Sequence, residues 1–140
     1  MNPKSAIAKG KELENWIVDR LHISGLDTRA YRQKGSGNGL NKGDVWNDLN
    51  LCIEAKNCKN FSQDWFKQVK RESLGVQIPV VVWHKNQVPL DESVVIISWN
   101  YFEELLLKSK EPELKQMDRQ VAWKVKSAVN SLKALLKELE

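Results

Sequence analysis

Cysteine is nearly absent from this chain: Cys52 and Cys58 are the only two in 140 residues. Neither belongs to a ligand-pairing motif, which argues against a zinc site and a disulfide framework and predicts reduced cytosolic thiols. No apolar run approaches the roughly 20 residues that a membrane-spanning helix requires. The N-terminus lacks the apolar core of a secretion signal. No internal repeat is present, which excludes a solenoid. These absences predict a protein with no membrane association and a cytoplasmic location.

What is present suits a folded α/β protein. At 140 residues the chain can enclose one sizeable core. Hydrophobic residues make up 41% and charged residues 29%, the balance of a globular domain. Six tryptophans would be costly to leave in water and predict a packed interior. The net charge of +4 is unevenly placed: residues 31–85 hold nine Lys and Arg against five Asp and Glu. A basic zone around a few carboxylates suits a metal-dependent enzyme acting on a polyanion. It is also compatible with ordinary surface charge.

The stretch from Gly35 to Lys56 organises the rest. A polar, glycine-rich loop leads to Asp44. A hairpin follows: Val45 and Trp46, a turn over Asn47, Asp48, Leu49 and Asn50, and a strand from Leu51 to Lys56. On that strand Leu51, Ile53 and Ala55 point one way, while Cys52, Glu54 and Lys56 point the other. A carboxylate and an ammonium thus share a face, roughly 7 Å apart by strand rise. Asp44 can reach the same place from the neighbouring strand. Two carboxylates and a lysine there point to a divalent metal site with an activating lysine. The same alternation is also what a half-exposed strand edge shows, and the spacing alone leaves both readings open.

Around that stretch the chain reads as alternating elements. Residues 1–4 form a tail, and Ser5 caps a helix running to about Leu21. Leu13, Trp16, Ile17, Val18 and Leu21 make its apolar arc, and Glu14 falls inside it. A carboxylate there is expensive unless paired, protonated or near a metal. A strand is expected over about Thr28–Gln33, and a helix from Ser62 with Trp65, Phe66 and Val69 on one side, Gln68 near it, and Lys67, Lys70 and Arg71 on the wet side. Residues 78–84 read as a buried strand, with His84 and Lys85 emerging at its end as phosphate-contact candidates. Ser93–Ser98 should be the last strand. Asn100 and Glu103 resemble a capping box opening a helix to Leu107. Glu111-Pro112 then punctuates the chain, and a final helix is expected from Glu113 to Leu139. Met117, Val121, Val125, Ala128, Leu132, Leu135 or Leu136, and Leu139 form its apolar stripe, roughly 40 Å long. This predicts a mixed sheet flanked by helices over residues 1–110 and a helical extension over 111–140, which either packs on its own domain or, the favoured reading, pairs with a second subunit.

The residues Lys9–Glu14, Gly35-Ser36-Gly37, Gly43-Asp44, Ile53-Glu54-Ala55-Lys56, Trp65-Phe66-Lys67-Gln68 and Ile78–Val82, in that order and spacing, resemble the PD-(D/E)xK nuclease superfamily. Within it the chain resembles small Holliday junction resolvases of archaeal and phage type over about residues 5–100. The resemblance implies a restriction-endonuclease-like core in a prokaryotic or phage-infected cell. It implies that Glu14, Asp44 and Glu54 bind Mg²⁺, for which Mn²⁺ can substitute. It further implies that Lys56 orients or activates the attacking water and that Gln68 supports the site. Arg32, Lys34, Ser36, Lys42, Lys67, Lys70, Arg71 and Lys85 would contact DNA. Gly43 stands where the superfamily name has proline, and the last helix has no counterpart.

The implied activity is a homodimeric endonuclease making paired nicks in four-way DNA junctions, since two-fold symmetry suits a symmetric junction. Hard oxygen ligands suit Mg²⁺, which can supply a nucleophilic water and neutralise the leaving oxygen. Two other readings stay open: a restriction-like or nicking endonuclease on duplex DNA, and a non-catalytic DNA-binding protein of the same fold.

Overall fold

The computed structural model describes residues 3–33 and 43–139. Helix α1 (Pro3–Ile23) is followed by strands β1 (Tyr31–Arg32), β2 (Val45–Trp46) and β3 (Leu51–Asn57), helix α2 (Asp64–Glu72), strand β4 (Ile78–His84), a 3₁₀ turn at Leu90–Glu92, strand β5 (Val94–Ile96) and helix α3 (Trp99–Glu138). The strands form one mixed sheet in the order β1-β2-β3-β4-β5. β3 and β4 are parallel, joined through α2, and run side by side from the pair Leu51–Ile78 to the pair Asn57–His84. The other three pairings are antiparallel.

Each face of the sheet is covered by one helix. Leu13 and Ile17 of α1 pack with Val45, Ile53, Val80 and Val82. Val69 of α2 packs with Cys52 and Val81, flanked by Trp65, Phe66 and Ile96. This two-sided cover is why β4 reads as an unbroken apolar run rather than an alternating one. Cys52 is buried, Cys58 is half-buried, and the two form no disulfide.

The expected α/β mixed sheet is present, and several local expectations are corrected. α1 begins at Pro3, so Ser5 lies inside the helix and residues 3 and 4 are not a tail; proline is well suited to a first helical turn. β1 is only two residues long, because Thr28 and Arg29 belong to the loop fixed by Asp27, whose Oδ1 accepts the Arg29 N–H at 2.9 Å. α2 starts at Asp64 rather than Ser62. Glu103 does not close a capping box on Asn100; its carboxylate accepts the Trp99 indole N–H at 3.1 Å, one turn back within α3.

The C-terminal region departs most from expectation. α3 runs unbroken through Pro112, so the two expected helices are one. Proline there removes a single bond, to the Lys108 carbonyl, amid residues of good helix propensity. The chain divides into two compact units at Ser98/Trp99, not at residue 110. Nor are all the tryptophans packed: Trp99 and Trp123 are 68% and 69% exposed. No helix among the described residues is long and apolar enough to cross a membrane.

Candidate active site

The first unit brings three carboxylates and a lysine together around the middle of β3. Glu54 sits on this central strand, between β2 and β4, and is only 8% exposed. By strand alternation it shares the α2 side of the sheet with Cys52, so it is not on a solvated edge. Lys56, two residues on, places its Nζ 2.8 Å from Glu54 Oε1.

Asp44 is delivered by the hairpin. Its N–H donates to the Ile53 carbonyl at 2.7 Å, its own carbonyl accepts the Gln33 N–H at 2.9 Å, and its Oδ2 accepts the Ala55 N–H at 2.7 Å. Asp44 is therefore anchored to the main chain of β3 on both sides of Glu54. The tight approach explains Gly43, which has φ +111°. A Cβ there would stand 2.9 Å from the Ile53 carbonyl oxygen and 3.1 Å from its nitrogen. Proline, with φ near −65°, cannot adopt this conformation.

The turn beyond β2 is self-supporting. Asn47 is buried and satisfies its whole amide: Oδ1 accepts the N–H of Leu49 and of Leu51, and Nδ2 donates to the carbonyls of Val45 and Leu51. Asp27 clamps the turn from outside, its Oδ2 accepting the Asp48 N–H at 2.7 Å. Arg29 and Asp48 add an ion pair. Asp27 is held below the ordinary aspartate range, chiefly by the Asp48 N–H bond.

Glu14 comes from α1 and lies 2.8 Å from Arg32 Nε on β1. The glutamate inside the apolar arc is thus paired. Arg32, expected to face DNA, is engaged with a candidate ligand instead. Burial pushes the carboxyls of Glu14, Asp44 and Glu54 all above their ordinary values. Arg32 opposes this at Glu14, the Ala55 N–H at Asp44 and Lys56 at Glu54. Each carboxylate also raises another: Glu54 acts on Glu14, Glu14 on Asp44, and Asp44 on Glu54. The negative charge of the cluster is under-compensated.

One participant was not foreseen. Glu72, at the end of α2, raises both Asp44 and Glu54 and accepts a hydrogen bond from Gln68 Nε2 at 3.0 Å. The i,i+4 spacing of Gln68 and Glu72 on one helix face was the available signal. Gln68 therefore touches the site through a fourth carboxylate.

The remaining expected contacts are dispersed. Lys67 is exposed, with Nζ 3.8 Å from Asp64 Oδ1, and Lys70 lies over the Phe66 ring at 6.0 Å. Arg71 and Lys85 are exposed. His84 does not emerge: it is buried, with Nδ1 hydrogen-bonded to Asn57 Oδ1 and Nε2 to the Val88 carbonyl. Lys34, Ser36, Lys42 and the Gly35–Gly37 loop lie outside the described residues.

The donor set suits a hard divalent cation: carboxylate oxygens, buried and mutually repelling, are what such an ion would compensate. As the side chains lie, however, no three His, Cys, Asp or Glu residues among those described stand close enough to hold a metal. Glu14 is turned to Arg32 and Glu54 to Lys56. Compared with protein-family models, curated proteins and solved structures, the chain matches none.

Proposed function

We propose that the chain is a metal-dependent endonuclease with a restriction-endonuclease-like core, acting on branched DNA and resolving four-way junctions by paired nicks. The observation that carries the reading is the burial of Glu54 on the central strand, with Lys56 at 2.8 Å and Asp44 bonded to the intervening Ala55 N–H. A strand edge chosen for solubility does not bury a glutamate under a helix, because an unneeded buried carboxylate is destabilising. Junction selectivity rests on the resemblance of the motifs and their order to the resolvases.

Glu14, Asp44 and Glu54 would hold Mg²⁺, and the ion would supply a polarised water and charge neutralisation at the phosphate. The chain's own groups do the rest. Lys56 is held beside Glu54 by their 2.8 Å contact and offers a fixed ammonium to developing negative charge. The Ala55 N–H locks the orientation of Asp44. Arg32 holds Glu14 until a cation competes for it. Glu72 keeps Gln68 at the border of the site.

The test is cleavage of an end-labelled four-way junction beside a linear duplex of the same arms, with Mg²⁺, by wild type and Glu54→Gln. Paired nicks confined to the junction and lost in the variant are expected. Equal cutting of the duplex would replace junction resolution with a general nuclease. Full cleavage by Glu54→Gln would remove the site assignment.

A further inference from the structure

The apolar stripe of α3 is left in water. Val121, Val125, Leu132, Leu135 and Leu139 are each between 58% and 84% exposed, and Ala128 is exposed with them. The spacing of these six is 4, 3, 4, 3, 4, a heptad repeat without interruption. At 3.6 residues per turn they stay within about 40° of one line along the helix. Arg119, Lys126, Lys133 and Lys137 lie about 120–160° round from that line. A helix lying on a membrane surface presents a broad apolar arc. A straight heptad seam bordered on one side by Lys124 and Glu138 fits another helix.

We infer that this seam pairs with the same seam of a second copy, running antiparallel. Three features of the sequence select that arrangement. Antiparallel alignment centred on residue 130 matches Val121 with Leu139, Val125 with Leu135, and Ala128 with Leu132 of the other copy. Every layer then holds one leucine and one smaller residue, so the small positions are filled by the large ones. Parallel alignment sets Ala128 on Ala128 and leucine on leucine, leaving one thin layer and three thick ones.

The flanking positions agree. In the antiparallel arrangement Lys124 of each copy lies across from Glu138 of the other, giving two opposite-charge pairs related by the symmetry axis. In the parallel arrangement Lys124 faces Val129 and no charge pair forms. On the opposite flank Val129 meets its own counterpart and Leu136 meets Ala122, which widens the buried strip. The interface is isologous and closes on itself as a dimer. It leaves the row of cations and the exposed Trp123 on the outer face. None of this depends on the nuclease reading.

The experiment is sedimentation equilibrium of the full chain across a micromolar concentration series. It compares wild type, Lys124→Glu, Glu138→Lys and the double swap, each checked for unchanged circular dichroism. A dimer of twice the 16.1 kDa chain mass is expected. Either single swap should weaken it about tenfold, by setting like charges across the seam at both ends, and the double swap should restore it. Leu132→Glu should leave only monomer. A wild-type chain that stays monomeric, with or without binding to anionic lipid vesicles, overturns the inference. So does a dimer indifferent to the swaps, or one that the double swap fails to restore.

Discussion

At the scale of single residues, the site is a compromise between stability and readiness. Burial and mutual repulsion raise the carboxyls of Glu14, Asp44 and Glu54, so the folded chain holds these protons more tightly than the unfolded chain. Without metal, stability from this cluster falls as pH climbs from the unfolded carboxyl range towards the raised folded values, and returns on acidification. Asp44→Asn keeps the acceptor for the Ala55 N–H and removes one charge. It should stabilise the metal-free protein at neutral pH by about 0.5–2 kcal/mol in urea denaturation. The gain should shrink at acid pH, where Asp44 is protonated anyway. Gly43→Ala should do the reverse, because φ +111° and the 2.9 Å approach to Ile53 admit no Cβ. A loss of about 1–3 kcal/mol is expected from the strained backbone alone, together with lower activity, since Asp44 is the next residue. Asp44, Glu54 and Lys56 were legible because strand alternation ties their positions together. Glu72 was not: an acidic residue near a helix end looks like solvated surface until α2 is seen to cover the face that carries Glu54. The pairing of Arg32 with Glu14 was equally hidden, because it joins two elements that only the fold brings together.

At the scale of elements, the hairpin and the long strands were legible and the ends of elements were not. Alternation marked β3, and an apolar run marked β4. Asn47 and Asn50 marked the turn, where Asn50 adopts φ +60°. The reach of β1 depended on Asp27, whose bonds to Arg29 and Asp48 no local pattern announces. Asp27→Ala removes both of these backbone hydrogen bonds and should destabilise the first unit, seen as a lower midpoint in urea denaturation. Because Asp27 is held below its ordinary value, its contribution is present above the unfolded aspartate range and is lost as pH falls through the folded value. Chemical denaturation at two pH values separates this acid loss from the opposite trend of the site cluster. Proline was read as a stop within the last forty residues, yet α3 continues through it. Pro112→Ala should restore the missing bond and slow amide exchange around Lys108–Asp118, an effect confined to α3 and worth up to about 3 kcal/mol.

At the scale of the molecule, the proposed metal binding becomes a stability measurement. A cation that relieves the under-compensated cluster binds only the folded chain and must raise Tm by mass action. Mg²⁺ or Mn²⁺ should raise Tm at neutral pH, much less at acid pH where protons compete, and hardly at all in Asp44→Asn. An unchanged Tm in the wild-type chain at millimolar metal would count against the metal assignment without touching the fold. The same scale governs when the site can exist. β3 obtains its long ladder, from Leu51 to Asn57, only from β4, which follows it in the chain. A nascent chain ending before Ile78 already carries Glu14, Asp44, Glu54 and Lys56 but lacks the parallel neighbour of β3. On the proposed nuclease reading, competence is expected only once β4 has emerged and paired with β3. Fragments ending before Ile78 are then expected to carry Glu14, Asp44, Glu54 and Lys56 without activity.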